Sequence, residues 1–174
     1  MASPEQEKII FVLETAIRME IDGKAFYLKS GAESSNAAGK RLFIQMANEE
    51  DEHRRRFEVI YDALRKGKSW PDMEIKPSAH IETLFSSDDS GGASKRAPTN
   101  EIEAVKTALD MESKSVNFYE AQMKIAGYMS ETRFYEALVA QESEHRLALL
   151  DYLEFLQDPA SYFSRLEHHS LDGV

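Results

Sequence analysis

Apolar residues recur at three- and four-residue spacing over four long stretches, the signature of helices that bury one face. In the first, Ile9, Ile10, Leu13, Ala16, Ile17, Glu20 and Lys24 fall in one register, mostly apolar. This predicts a helix from about Pro4 to Ala32, capped by Ser3, with Pro4 at the first position and Gln6 closing a capping box. Gly31 and Ser34-Ser35-Asn36 end it and start the next, expected from about Ala37 to Lys66 with Gly67 as its stop. The third helix is predicted to open at Asn100, with Glu103 as box partner, and to run to about Ala126. The fourth is predicted from about Ser130 to just before Asp158-Pro159. Tyr162, Phe163 and Leu166 in the tail from 158 to 174 suggest a short fifth helix.

Residues 68–99 have a different character, with Trp70-Pro71, Pro77, Ser86-Ser87-Asp88-Asp89-Ser90-Gly91-Gly92 and Pro98. Apart from a helical turn expected at Ile81–Phe85, this segment reads as a linker. A linker of this length inside one domain needs a reason. A helix of about 28 residues is about 42 Å long, and about 30 extended residues reach as far as about 100 Å, so a crossover along a bundle is a sufficient one.

The chain repeats itself without a gap at an offset of 92 residues. Thr15-Ala16 matches Thr107-Ala108, Met19-Glu20 matches Met111-Glu112, and Phe26-Tyr27 matches Phe118-Tyr119. Arg41 matches Arg133, Glu50 matches Glu142, and Glu52-His53-Arg54 matches Glu144-His145-Arg146. The expected architecture is all-α: one domain over 1–174, in which hairpins 4–67 and 100–157 form a pseudo-symmetric four-helix bundle, joined by the crossover 68–99 and followed by the tail 158–174.

The shared positions are polar, and that carries the chemistry. A three-residue step turns a helix by about 300°, so Glu50 and His53 share a face, as do Glu142 and His145. Glu20 and Glu50 are equidistant from the turn at Ser35, and Glu112 and Glu142 from Gly127, which puts each pair at one height in its hairpin. Four carboxylates and two imidazoles thus converge at one level among apolar neighbours. Uncompensated, each buried carboxylate would cost several kcal/mol. Two divalent cations would balance four negative charges, and a carboxylate–imidazole set suits iron or manganese, with zinc also admissible. Glu50 and Glu142 are the expected bridges and Glu20 and Glu112 the expected terminal ligands, leaving open positions for oxygen or peroxide. Tyr27 and Tyr119, seven residues after Glu20 and Glu112, are placed either to hydrogen-bond a ligand carboxylate or a bound oxygen species, or to pass an electron; plain core phenols are the alternative. Phe26, Phe118, Met19 and Met111 read as packing residues. Glu49, Asp51 and Glu52 are expected on the solvated flank, and His80, His168 and His169 at the surface, the last two with metal entry as an alternative. Trp70 is a candidate anchor of the linker on the bundle.

Composition narrows the classes. With 21 Lys and Arg against 31 Asp and Glu the net charge is −10, which disfavours nucleic acid and anionic membrane surfaces and favours cations. The chain has no cysteine, so disulfides, thiolate metal sites and thiol nucleophiles are excluded. No apolar run is long enough for a membrane span and the first residues do not look like a secretion signal, so a cytoplasmic location is expected.

The set Glu20, Glu50-x-x-His53, Glu112, Glu142-x-x-His145 resembles that of the ferritin-like di-iron carboxylate proteins. Met-Glu followed by Phe-Tyr on the first and third helices is most similar to the rubrerythrin branch. The resemblance covers about residues 5 to 157. It implies two irons per site, oxidation of ferrous iron or reduction of hydrogen peroxide or dioxygen, an external electron donor and a homodimer. Two departures stand out. Without cysteine, the fused iron–sulfur domain of rubrerythrins is expected to be missing. Ser115 stands where rubrerythrins usually carry an additional carboxylate, which points to a plainer, symmetric ferroxidase-type centre. An iron-storing cage and a metal-bound bundle without redox turnover are the alternative functions.

Overall fold

A computed structural model describes residues 4–73, 75 and 99–171. They form five helices, α1 (Pro4–Glu33), α2 (Ala37–Arg65), α3 (Thr99–Ile125), α4 (Met129–Gln157) and α5 (Pro159–Leu171). No strand occurs among the described residues. The first four are the helices that the apolar periodicity predicts, and the tail supplies the fifth. Ser3, His80 and the turn expected at Ile81–Phe85 lie outside the described residues, as do the side chains of His168 and His169.

Local chemistry sets the helix ends. The side-chain oxygen of Asn36 accepts hydrogen bonds from the backbone N–H groups of Ala38 and Gly39 and so caps α2. At its far end Gly67 adopts φ +71°, the left-handed conformation that closes a helix and that glycine enters without steric penalty. At α4 the capping is done from inside the helix, where Glu131 Oε2 accepts from the Gly127 N–H at 2.9 Å. The capping box expected at Asn100 does not form. The helix already runs through Asn100, and Glu103 instead accepts from Lys106 at 2.9 Å.

α1 packs along α2 and α3 along α4, with further contacts between α1 and α3, α2 and α4, and α4 and α5. Two apolar clusters fill the bundle. One holds Tyr27, Leu42, Phe43, Met46, Val105, Ala108, Leu149, Tyr152, Leu156 and Tyr162. The other holds Leu13, Ala16, Phe57, Ile60, Leu64, Trp70, Tyr119, Phe134, Tyr135 and Leu138. Each of these residues has its counterpart, at the repeat offset of 92, in the opposite cluster. The pseudo-two-fold axis therefore runs between the clusters. The start of α3 sits beside the end of α1, while α2 ends in the other cluster, so the end of α2 and the start of α3 lie at opposite ends of the bundle.

Even the flanking segments obey the repeat. Trp70, just past α2, is buried with ring centroids 5.9 Å from Phe134 and 5.8 Å from Tyr135. Its counterpart Tyr162, on α5, packs at 5.7 Å on Phe155 and donates a hydrogen bond to Asp151 at 2.7 Å. Trp70 thus pins the start of the linker, and Tyr162 pins the tail.

Candidate metal centre

The level between the two clusters is polar. Glu20 on α1, Glu50 and His53 on α2, Glu112 on α3, and Glu142 and His145 on α4 are all buried there. The three-residue step puts each Glu–His pair on one face, and the hairpin geometry puts Glu20 and Glu112 opposite them. The six residues fall into two sets, Glu20, Glu50, His53 and Glu142, and Glu50, Glu112, Glu142 and His145. Within each set one donor atom from every residue lies within 4.8 Å of the others. Glu50 and Glu142 belong to both sets. The arrangement therefore has room for two cations sharing two carboxylates, with one Glu and one His private to each.

Both imidazoles turn Nδ1 inward. His53 Nδ1 stands 3.4 Å from Glu20 and 3.1 Å from Glu142. His145 Nδ1 stands 3.2 Å from Glu142, 3.5 Å from Glu50 and 3.6 Å from Glu112. The rings stack with centroids 6.2 Å apart. The outward nitrogens are held: His53 Nε2 donates to Gln141 Oε1 and His145 Nε2 donates to Glu49 Oε2, each at 2.8 Å. This is the arrangement that fixes ring and tautomer in metal sites. Tyr27 donates to Glu112 and Tyr119 to Glu20, so each tyrosine holds the terminal carboxylate of the other hairpin.

Whether a cation fits is decided by the atoms left over. Glu20 Oε2, Glu50 Oε1, His53 Nδ1, Glu112 Oε2 and Glu142 Oε1 are buried without a hydrogen-bond partner. Buried polar atoms are rarely left so, because each forfeits its hydration. Five at one level, on acceptors and a potential acceptor, define a cradle for positive charge. The donor set, hard carboxylate oxygens with two imidazole nitrogens, suits divalent iron, manganese or zinc.

Proton affinities say the same. Burial, reinforced by Glu142, pushes the Glu112 carboxyl up to about 8. Burial and then Glu142, Glu20 and Glu112 push Glu50 well above its ordinary range. Burial works to raise Glu142 too, but the nearby imidazoles of His145 and His53 outweigh it and hold that carboxyl well below its usual value. Burial opposes charge on both imidazoles. Glu20 and Glu142 overcome this at His53, and Glu112 with Glu142 at His145, so both rings hold their protons well beyond the usual pH. Without a cation the site compensates its own negative charge by binding protons. Burial, then Glu112 and Glu20 respectively, push the Tyr27 and Tyr119 phenols well up, keeping them neutral donors.

Four neighbours differ from expectation or escaped it. Glu49 does not lie on the solvated flank; it is half-buried against His145, with Gln45 donating to its other oxygen at 3.0 Å. Asp51 is buried too, because α1 supplies Lys24 at 2.8 Å, and Arg54 and Arg55 close in on it. That Lys24 hydrogen bond lowers its carboxyl, against burial. Glu52 is exposed, as expected. Gln141 gave no motif signal of its own. It and Glu49 sit one residue before the shared glutamates, at equivalent repeat positions, and both offer an acceptor; that equivalence was the available clue. The fourth is Gly23, where a Cβ would stand 2.5 Å from Glu50 Oε2. Its missing side chain is the space the Glu50 carboxylate occupies.

No helix among the described residues is long and apolar enough to cross a membrane. Searches of curated proteins and of solved structures returned no match. The rubrerythrin family matches residues 12–153, a span that contains every residue of the buried Glu/His cluster and both tyrosines. The chain belongs to the rubrerythrin family.

Proposed function

We propose that this protein is a di-iron oxidoreductase in which Glu20 and His53 would hold one iron, Glu112 and His145 would hold the other, and Glu50 and Glu142 would serve both. The observation that supports it most is the sharing of Glu50 and Glu142 between two four-residue donor sets. Two ferrous ions held there would supply the two electrons that, with two protons, reduce hydrogen peroxide to two waters, and an external donor would return those electrons.

The chain's own residues do the rest. The apolar clusters on either side wall the level off from water, which strengthens every charge interaction within it. Tyr27 and Tyr119 fix the terminal carboxylates by donating to one oxygen of each, which leaves the second oxygen aimed at the cation. The imidazoles and raised carboxylates carry protons that they would give up to solvent on holding cations.

The experiment is an anaerobic ferrous titration of the metal-free chain, with iron counted before and after air and peroxide turnover measured in parallel. About two irons per chain, unchanged by air, with turnover abolished in Glu50→Ala and Glu142→Ala, is expected. Uptake far beyond two after air would replace this reading with iron storage. Two irons bound without turnover would reduce the site to a structural one, and unchanged turnover in both variants would refute the mechanism.

A further inference from the structure

The repeat keeps all six candidate ligands and both tyrosines, and breaks at the residues behind the imidazoles. His145 is backed by the carboxylate of Glu49, and His53 by the neutral amide of Gln141, at equal distances of 2.8 Å. Glu49 and Gln141 occupy the same repeat position, so geometry is matched and chemistry is not. Glu49 also has a neighbour that the repeat does not keep. Gln45 donates to its second oxygen at 3.0 Å, while the counterpart of Gln45 is Ala137. A carboxylate accepting from the outward N–H enriches the inward nitrogen and adds negative charge next to the cation; an amide carbonyl orients the ring and adds none.

Resting on the di-metal reading above, we infer that the two positions are unequal and that Glu49 and Gln141 are the positioning residues that rank them. The position of Glu112 and His145 fills first and holds its ion more tightly, and the position of Glu20 and His53 fills second. The order of loading is set from outside the ligand set, across the bundle, by one carboxylate-to-amide difference.

The test is a titration of the metal-free full chain with Mn(II), following free ion by its magnetic resonance signal. Two binding steps alone do not decide the matter, since repulsion between the ions would also separate them. The identity of the first position decides it. His145→Ala is expected to remove the tighter step and His53→Ala to spare it. Glu49→Gln is expected to weaken the tighter step by about tenfold. Gln141→Glu is expected to strengthen the weaker one. The double swap Glu49→Gln/Gln141→Glu keeps the same groups in the protein, and is expected to invert the order, so that His53→Ala in that background removes the tighter step. A fold defect would weaken both steps and cannot invert them. Loss of the tighter step in wild-type background on His53→Ala, or indifference to both Glu49→Gln and Gln141→Glu, overturns the inference while two ions still bind. Failure of the wild-type chain to bind two Mn(II) ions overturns the inference together with the di-metal reading beneath it.

Discussion

Substituting Gly23 by alanine separates the demands of the fold from those of the site. Gly23 lies inside α1, where glycine is less favourable than alanine by about 1 kcal/mol. On that ground alone Gly23→Ala should stabilise. The new methyl, however, stands 2.5 Å from Glu50 Oε2 and 3.3 Å from its Cδ. The oxygen must retreat by about 1 Å to reach an ordinary contact of about 3.5 Å. Without metal this is cheap, because the clash falls on the free end of a side chain that can turn. With metal it is not, since Glu50 belongs to both donor sets and cannot leave without loosening each. A misplaced ligand of this kind should lower affinity by about 10- to 100-fold, or about 1.4–2.8 kcal/mol. Thermal unfolding of metal-free and metal-loaded protein reads both terms. The metal-free variant should melt no lower than wild type and up to about 4 °C higher, while the rise on adding metal shrinks. Undiminished metal stabilisation in Gly23→Ala, or a metal-free variant several degrees less stable, would refute the reasoning.

Three other changes act elsewhere. At Gly39 a Cβ would stand 2.0 Å from the Tyr152 hydroxyl and 2.7 Å from its Cζ; the ring is buried and its hydroxyl donates to Glu101 at 2.6 Å, so Gly39→Ala should cost about 1–3 kcal/mol by denaturant unfolding without altering metal stoichiometry. Trp70→Ala should destabilise by about 3–5 kcal/mol, again with metal binding intact, and a neutral effect would deny Trp70 its anchoring role. For pH, Glu112 at about 8 keeps a proton in the folded chain that the unfolded chain gives up near pH 4.5, and His53 and His145 likewise stay protonated above their unfolded values. The folded state therefore binds more protons between about pH 4.5 and 8, and metal-free stability falls as pH rises through that window. Glu142, lowered, completes its opposite contribution near pH 4.5, below most of that range. Melting temperatures in chelator from pH 5.5 to 8 should decline, and a rise would contradict the site's protonation.

Much of this was legible because the two features that define the molecule are periodic. Apolar spacing locates the helices to within a residue or two, and the repeat offset locates the hairpins. What periodicity does not encode is which polar residue near a helix face finds a partner on a neighbouring helix. Glu49 and Asp51 look as solvated as Glu52 when read along α2. Glu49 is drawn in because α4 brings His145 to it, and Asp51 because α1 brings Lys24. The start of α3 shows the same limit from the other side. Asn100 and Glu103 have the spacing of a capping box, but the helix begins before them and Glu103 pairs with Lys106.

Four hydrogen bonds that hold the candidate ligands from outside the cluster cross between hairpins. Tyr27 on α1 holds Glu112 on α3, and Tyr119 on α3 holds Glu20 on α1. Glu49 on α2 holds His145 on α4, and Gln141 on α4 holds His53 on α2. Each hairpin thus carries two terminal ligands and one shared carboxylate, yet orients those of its partner. Neither donor set can be completed within one hairpin, since each includes both Glu50 and Glu142. A cation bound at either position is therefore a tie between the halves of the repeat, at the level where the apolar clusters give way to charge. The same crossing explains why a difference between Glu49 and Gln141 matters. A change in one hairpin's outer residue is felt by the other hairpin's ligand, so divergence of a single pair after duplication is enough to make a symmetric fold hold two unequal sites.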